Sequence, residues 1–186
     1  MAFAESNMLD LGTKAPDFRL PDTVSDKTMQ LTDLKSDKAT VIMFLCNHCP
    51  YVLHVNEEIA RIADAYQEKG VAFIGISSND AEKYPQDGPD KMKVHAAAVG
   101  YNFPYLYDET QEVAIAYDAA CTPDFYVFDG DLKLVYRGRI DDSRPGNALP
   151  LTGKDLREAI DSALEGAAPL AVQYPSGGCN IKWKPQ

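Results

Sequence analysis

The sequence predicts an α/β fold with a central mixed β-sheet flanked by helices. Three observations carry this reading. A strand–helix–strand pattern runs from Ala39 to Ser77, and a β-hairpin pattern runs from Asp124 to Tyr136. The 186 residues, 45% hydrophobic and 25% charged, suit one globular domain that buries about two-thirds of its unfolded surface.

Residues 1–38 read as an N-terminal extension. Gly12, Pro16, Pro21, Asp22, Ser25 and Asp26 are turn formers. The apolar pieces between them (Phe18 and Leu20; Met29, Leu31 and Leu34) predict brief strands or a hairpin followed by one helical turn. Residues 39–166 form the core. Ala39 to Leu45 (ATVIMFL) is a continuous apolar run with β-branched residues, the signature of a strand buried on both faces. Pro50 is favoured at the first turn of a helix. Beyond it Val52, Val55, Ile59, Ile62 and Tyr66 recur at steps of three and four, one apolar helix face, with Gly70 placed to end it. Val71 to Ser77 (VAFIGIS) is the second buried strand, so the unit is βαβ with a right-handed crossover.

The pattern then repeats more weakly. Helices are expected over Pro89 to Val99 and Thr110 to Ala120, with a short strand at Tyr105 to Tyr107 between them. Asp124 to Phe128 and Leu132 to Tyr136 are the two arms of a hairpin turning near Gly130. Thr152 to Leu164 is the last helix, with Leu156, Ile160 and Leu164 on one face. Residues 167–186, holding Pro169, Pro175, Gly177, Gly178 and Pro185, are expected to form an irregular tail. No internal repeat or linker divides the chain, so 1–186 is read as one domain.

Charge and segment statistics narrow the function. With 28 acidic against 18 basic residues and a formal charge of −10, the surface repels phosphate, so neither nucleic acid nor anionic membrane is an expected partner. No apolar run approaches the ~18 residues of a membrane span. The N-terminal MAFAESNMLDLGTKAPDF lacks a basic start and an apolar core, so the expected compartment is the cytosol. In a reducing cytosol Cys46, Cys49, Cys121 and Cys179 are catalytic, metal-binding or inert core residues sooner than a disulfide frame.

Cys49 stands where a buried strand gives way to a helix. Free backbone N–H groups and the helix dipole there favour a thiolate, the nucleophile of disulfide exchange and of attack on peroxide. Cys46-Asn47-His48-Cys49 is a CxxC. An ordinary redox CxxC puts its first cysteine at the helix mouth and its second one turn inside. Here Pro50 starts the helix after Cys49, which leaves Cys46 at the strand end and Val52 one turn inside. The motif is shifted by one cysteine.

The segments APDFRLPD, FLCNHCPYV, ACTPDFYVFD, YRGRIDDSRPGN and GCNIKWK together resemble the thioredoxin-like, peroxiredoxin-related (AhpC/TSA-type redoxin) family from Gly12 to Lys184. The resemblance implies a thioredoxin-like fold with a peroxiredoxin-type N-terminal hairpin and C-terminal tail. It aligns Cys49 with the first cysteine of the thioredoxin CxxC. It also implies that Thr122-Pro123 is a cis-proline loop facing the nucleophile, with Asn47, His48 and Pro50 shaping the site. Against the Pro-x-x-x-Thr-x-x-Cys motif of peroxiredoxins, the threonine position holds Cys46 and the proline position Ile42. Pro123 falls where the family carries its arginine, leaving Arg137, Arg139 and Arg144 as candidates for that role.

Three cysteines can resolve a disulfide on Cys49, and the order read from the sequence places Cys46 and Cys121 ahead of Cys179. Cys46 is nearest, Cys121 lies two residues before Pro123, and Cys179 sits on a tail expected to move. His48 either tunes the nucleophile or shapes its loop; His54 reads as structural and His95 as a surface residue. Cys46, His48, Cys49 and a tail cysteine lack the second Cys/His pair of a zinc site, so no metal is expected. No glycine-rich phosphate loop is present, so no cofactor is expected. The function read is thiol–disulfide exchange through Cys49 on a disulfide or peroxide substrate, with an external thiol as reductant. The alternatives are a peroxide reductase and a redox-sensing or protein-binding module without turnover.

Overall fold

Ala39–Phe44 is the central strand of the main sheet, and all six of its residues are buried. The computed structural model describes residues 2–186. Its elements begin with β1 (Phe3–Glu5), β2 (Arg19–Pro21), β3 (Thr28–Gln30), α1 (Leu31–Leu34), β4 (Ala39–Phe44), α2 (Pro50–Gln67) and β5 (Val71–Ser77). A 3₁₀ turn at Pro85–Asp87 follows, then α3 (Pro89–Val99), β6 (Tyr105–Tyr107) and α4 (Glu112–Ala116). The chain ends with β7 (Cys121–Thr122), β8 (Asp124–Asp129), β9 (Leu134–Gly138), α5 (Lys154–Leu164) and β10 (Gly177–Asn180). Among the described residues no helix is long and apolar enough to cross a membrane.

The main sheet has the order β6-β5-β4-β8-β9. β4, β5 and β6 are parallel, and β8 and β9 are antiparallel to their neighbours, giving the mixed sheet expected. Successive side chains of β4 alternate between faces. Val41 and Met43 join a core with Val52, Ile59 and Ile62 of α2 and Leu156 and Ile160 of α5. Ile42 and Phe44 join a second core with Leu31, Val113 and Tyr117. Both faces are therefore covered, which is why the strand reads as an unbroken apolar run rather than an alternating one. The N-terminal hairpin is present as β2 paired with β3, followed by the single turn α1.

The structure corrects the sequence reading at three places. The helix expected over Thr110 to Ala120 is only Glu112–Ala116. The carbonyl of Tyr117 is taken by the Tyr126 hydroxyl at 2.8 Å and Arg137 Nη1 at 3.5 Å, and Asp118 adopts a φ of 49°. The second hairpin arm is Leu134–Gly138, because Leu132 lies in the turn with a φ of 58°. The tail is not irregular throughout: β10 pairs antiparallel with β1 on one side and β7 on the other. Cys179 sits opposite both Phe3 and Thr122.

Nor is the tail free to move as the sequence suggested. Asn79 Oδ1 accepts the Lys182 N–H at 2.9 Å, and the Lys182 carbonyl accepts from Asp80 N–H at 2.8 Å and Gln111 Nε2 at 2.9 Å. These buried partners lie far away in sequence, so no local pattern announces them. Gly178 allows the close approach of β10 to β7: a Cβ there would stand 2.0 Å from the Thr122 carbonyl oxygen. Gly178→Ala is expected to cost about 1–3 kcal/mol by forcing these strands apart, read as a lower midpoint in urea unfolding with an unchanged slope.

Candidate active site

Cys49 is the N-cap of α2, and Pro50 occupies the first helical turn. Pro50 has no N–H to leave unsatisfied there and its fixed φ suits the helix start. The Cys49 side chain is fully buried, with Sγ 3.4 Å from the Thr122 carbonyl oxygen. The Thr122–Pro123 peptide bond is cis. The strand-to-helix junction and the cis-proline loop, distant in sequence, therefore meet at this sulfur.

Two thiols converge on Cys49. Cys46, at the end of β4, shares a hydrogen bond with the Cys49 sulfur, and its own Sγ lies 3.3 Å from Thr122 Oγ1. Cys179 approaches through both its thiol and its backbone N–H, and the Val52 N–H adds another donor. The hydrogen bond from Cys46 is the chief reason the Cys49 thiol is lowered to about 5; burial opposes it, and the Cys179 and Val52 donors assist. The same shared proton raises Cys46 well above the ordinary cysteine value, helped by burial and by the charge of Asp87. Cys179 is pushed up to about 12, mainly by burial and then by its bond to Cys49. One negative charge is thus held on Cys49 by two neutral thiols.

Strand alternation sorts the remaining candidates. Thr122 turns its side chain toward Cys46, so its neighbour Cys121 points to the opposite face. There the Cys121 sulfur lies 3.8 Å from the Pro123 carbonyl and 3.9 Å from that of Ser176, and burial raises its thiol strongly. Cys179, opposite Thr122 across β10 and β7, shares that residue's face and packs in one core with Cys46 and Cys49. The structure thus brings Cys46 and Cys179 to Cys49 and turns Cys121 away. Proximity to Pro123 in sequence carried no information about which face Cys121 would take.

The CxxC loop is braced by residues the sequence did not single out. Asn47 donates its backbone N–H to Asp87 Oδ1 at 2.8 Å and Nδ2 to the Gln86 carbonyl at 3.0 Å, and accepts from the Tyr105 hydroxyl at 3.0 Å. His48 places Nδ1 2.5 Å from Asp87 Oδ2 and stacks its ring on Tyr84 at 5.8 Å. The contact with Asp87 lies off the hydrogen-bonding axis of that nitrogen. His54 is tied to Ser143 Oγ at 2.8 Å. His95 is half-buried against Tyr101 rather than on the open surface, and burial lowers its imidazole.

Cys46, His48 and Asp87 each bring one donor atom within 4.8 Å of the other two. Asp87, however, spends both oxygens on Asn47, Asn79 and His48. A closed zinc site needs four convergent ligands, and this trio supplies three, one of them a carboxylate already accepting from Asn47 and Asn79. Of the arginines weighed for oxyanion or peroxide binding, Arg137 is wholly buried on Asp124 at 2.7 Å and Arg139 is paired with Asp155 at 2.6 Å. Arg144 lies over the Phe3 ring and lines a small cleft with Tyr51 and Pro123.

A thioredoxin-like sheet with a cysteine at its strand-to-helix junction, facing a cis-proline, defines a thiol-dependent redoxin. Residues 11–137 match the model of the AhpC/TSA family, and the chain belongs to that family. It is similar over its length to an uncharacterized conserved protein from Geobacillus kaustophilus, with 59% identity, 100% of this chain and 98% of that one covered, and a TM-score of 0.98. A hypothetical protein from Sinorhizobium meliloti 1021 is 44% identical over 98% of this chain and 99% of its own, with a TM-score of 0.95. The thioredoxin domain of a thiol-disulfide oxidoreductase from Bacteroides vulgatus shares the fold at 17% identity, over 82% of this chain and 99% of that one, with a TM-score of 0.61. A search of curated proteins finds no match.

Proposed function

We propose that the protein is a thiol–disulfide oxidoreductase in which Cys49 is the nucleophile and Cys46 the resolving thiol. The observation that carries this reading is the meeting of Cys46 and Cys179 with Cys49 at the N-cap of α2, where Cys49 Sγ faces the Thr122 carbonyl before the cis Pro123; the Cys49 thiol is lowered there, chiefly by the hydrogen bond from Cys46. Cys49 attacks one sulfur of a substrate disulfide, forms a mixed disulfide and releases the other half as a thiolate. The Cys46 sulfur then attacks Cys49, closes the internal Cys46–Cys49 bond and expels the second half. Two equivalents of an external thiol, or one dithiol, then reduce that bond by two successive exchanges, leave as their own disulfide and return both cysteines to the reduced state. The helix N-terminus stabilises the Cys49 thiolate both as attacking group and as leaving group.

Peroxide reduction is the second reading, and Arg144 is the observation that favours it. Among the described residues it pairs with no carboxylate within ion-pair distance and sits beside Tyr51 and Pro123. Against it, a cysteine stands where the peroxiredoxin motif places an activating threonine. Because Cys49 is fully buried, a small aromatic disulfide is the appropriate first substrate. The reduced protein with a dithiol reductant is expected to turn this disulfide over many times and to consume hydrogen peroxide slowly in stopped-flow mixing. Rapid peroxide consumption without disulfide turnover favours the peroxidase, and stoichiometric capture without any turnover favours a binding module. Either outcome overturns the exchange reading.

A further inference from the structure

Arg144 is a cation beside the redox sulfur that the fold does not consume. Arg61, Arg137, Arg139 and Arg157 each pair with a carboxylate. Among the described residues Arg144 has no such partner, and the hydrogen bond it donates runs from its backbone N–H, to Asn147 Oδ1 at 3.1 Å. The carboxylates of its own loop are committed elsewhere. Asp141 accepts the N–H groups of Ser143, Thr152 and Gly153, and Asp142 faces Lys154 at 3.8 Å. A half-buried guanidinium brings five N–H donors and a permanent charge, and it is costly to leave them without an acceptor.

The surrounding structure holds this side chain in place. Its loop is tied by Asn147 Nδ2 donating to the Asp142 carbonyl at 2.8 Å and by His54 on Ser143 Oγ at 2.8 Å. The guanidinium lies over the Phe3 ring at 5.5 Å, and that ring packs on Tyr51 at 5.7 Å. Gly177 leaves room for both: a Cβ there would stand 2.6 Å from Phe3 Cζ and 3.0 Å from Arg144 Cζ. The two elements that meet at the Cys49 sulfur continue into the same cleft. α2 contributes Tyr51, two residues after Cys49, and the cis-proline loop contributes Pro123, directly after the Thr122 carbonyl. Arg144 lines the cleft with them. The charge on Cys49 is set chiefly by Cys46, Cys179 and the Val52 N–H. Arg144 is therefore left for a group of the substrate beyond the reacting sulfur.

We propose that Arg144 binds a carboxylate of the substrate, so that Cys49 acts on a small disulfide bearing a carboxylate a few bonds from its sulfur, a reading that rests on Cys49 as the nucleophile. A carboxylate accepts two parallel N–H bonds from the planar guanidinium, a fit that neutral and cationic disulfides lack. With the carboxylate so held, Cys49 bonds to the nearer sulfur and the S–S bond breaks. The other half leaves as a thiolate and takes a proton from water. The formal charge of −10 sharpens this choice. An acidic surface repels anions, so a carboxylated disulfide is admitted only where a local cation receives it.

The test mixes the reduced full chain with three disulfides of one chain length: dithiodipropionate, which is anionic, bis(hydroxyethyl) disulfide, which is neutral, and cystamine, which is cationic. Acid quenching, alkylation and mass measurement give the rate at which free Cys49 is lost. Each disulfide is compared with itself across the variants, which cancels its intrinsic reactivity. Arg144→Met is expected to lower the dithiodipropionate rate at least about tenfold, the scale of one charge-assisted contact. The same variant is expected to leave the neutral disulfide unchanged and not to slow cystamine. Arg144→Lys is expected to restore part of the dithiodipropionate rate. An unchanged dithiodipropionate rate in Arg144→Met, or an equal loss with all three disulfides, overturns the inference alone. A wild-type protein that reacts with none of the three overturns the nucleophile reading and this inference together. If circular dichroism shows Arg144→Met unfolded, Arg144→Lys and Arg144→Gln decide: the same ratio of dithiodipropionate to neutral rate in both overturns the subsite.

Discussion

Cys49→Ser is expected to lower disulfide turnover by at least about a thousandfold while leaving the fold intact. A serine hydroxyl at the same helix mouth stays protonated at neutral pH and is a poor nucleophile toward sulfur. The exchanged atom is fully buried, so the hydroxyl fits the space the thiol leaves. Unchanged turnover in this variant would remove the central assignment. The wild-type protein offers an independent check through pH. Its Cys49 thiol is lowered to about 5, so the thiolate fraction is close to complete at neutral pH and falls only as pH drops through that value. The rate at which iodoacetamide labels Cys49 is therefore expected to be nearly flat from about pH 6 to pH 8, and to fall about tenfold per unit well below 5. An ordinary thiol would instead gain reactivity throughout the neutral range.

Arg137→Met is expected to destabilise the protein by about 3–5 kcal/mol. Arg137 and Asp124 are both fully buried and joined at 2.7 Å. The guanidinium also donates to the Asp118 carbonyl at 2.9 Å and lies over the Tyr126 ring at 4.3 Å. Ser6 Oγ donates to Asp124 Oδ1 at 2.8 Å. Removing the arginine strands the carboxylate without its main counter-charge, and burial already raises that carboxyl above its usual value. Replacing both partners with apolar residues of similar size is expected to recover most of the loss, because no lone charge then remains. Urea unfolding of the two single variants and the double variant measures this coupling. Asp124 directly follows Pro123, so the ion pair anchors the loop that faces Cys49. An arginine weighed as a peroxide-binding group thus has a structural task.

Some of this was legible in the chain because the signal is local. The βαβ unit shows as an apolar run, a proline-started amphipathic helix and a second apolar run, each set by side-chain periodicity over adjacent residues. The shifted CxxC was legible for the same reason, since Pro50 fixes where the helix starts whatever else the chain does. The short α4 was not, because just past its end Tyr126 and Arg137, both distant in sequence, donate to the Tyr117 carbonyl.

The cysteines mark the division most clearly. The sequence by itself determined that Cys49 caps a helix, where unpaired N–H groups favour negative charge. Only the tertiary structure decided which thiols surround it. Strand alternation at Cys121–Thr122 turned Cys121 away, and the pairing of β10 with β7 brought Cys179 in from a segment that reads as loop. Asp87 came to Cys46 through the turn that follows β5, without any spacing that marks it. Helix ends are fixed by neighbours along the chain, whereas the facing of a side chain across a sheet depends on which strands happen to pair. The chain therefore specified where the charge sits, and the fold specified what holds it there.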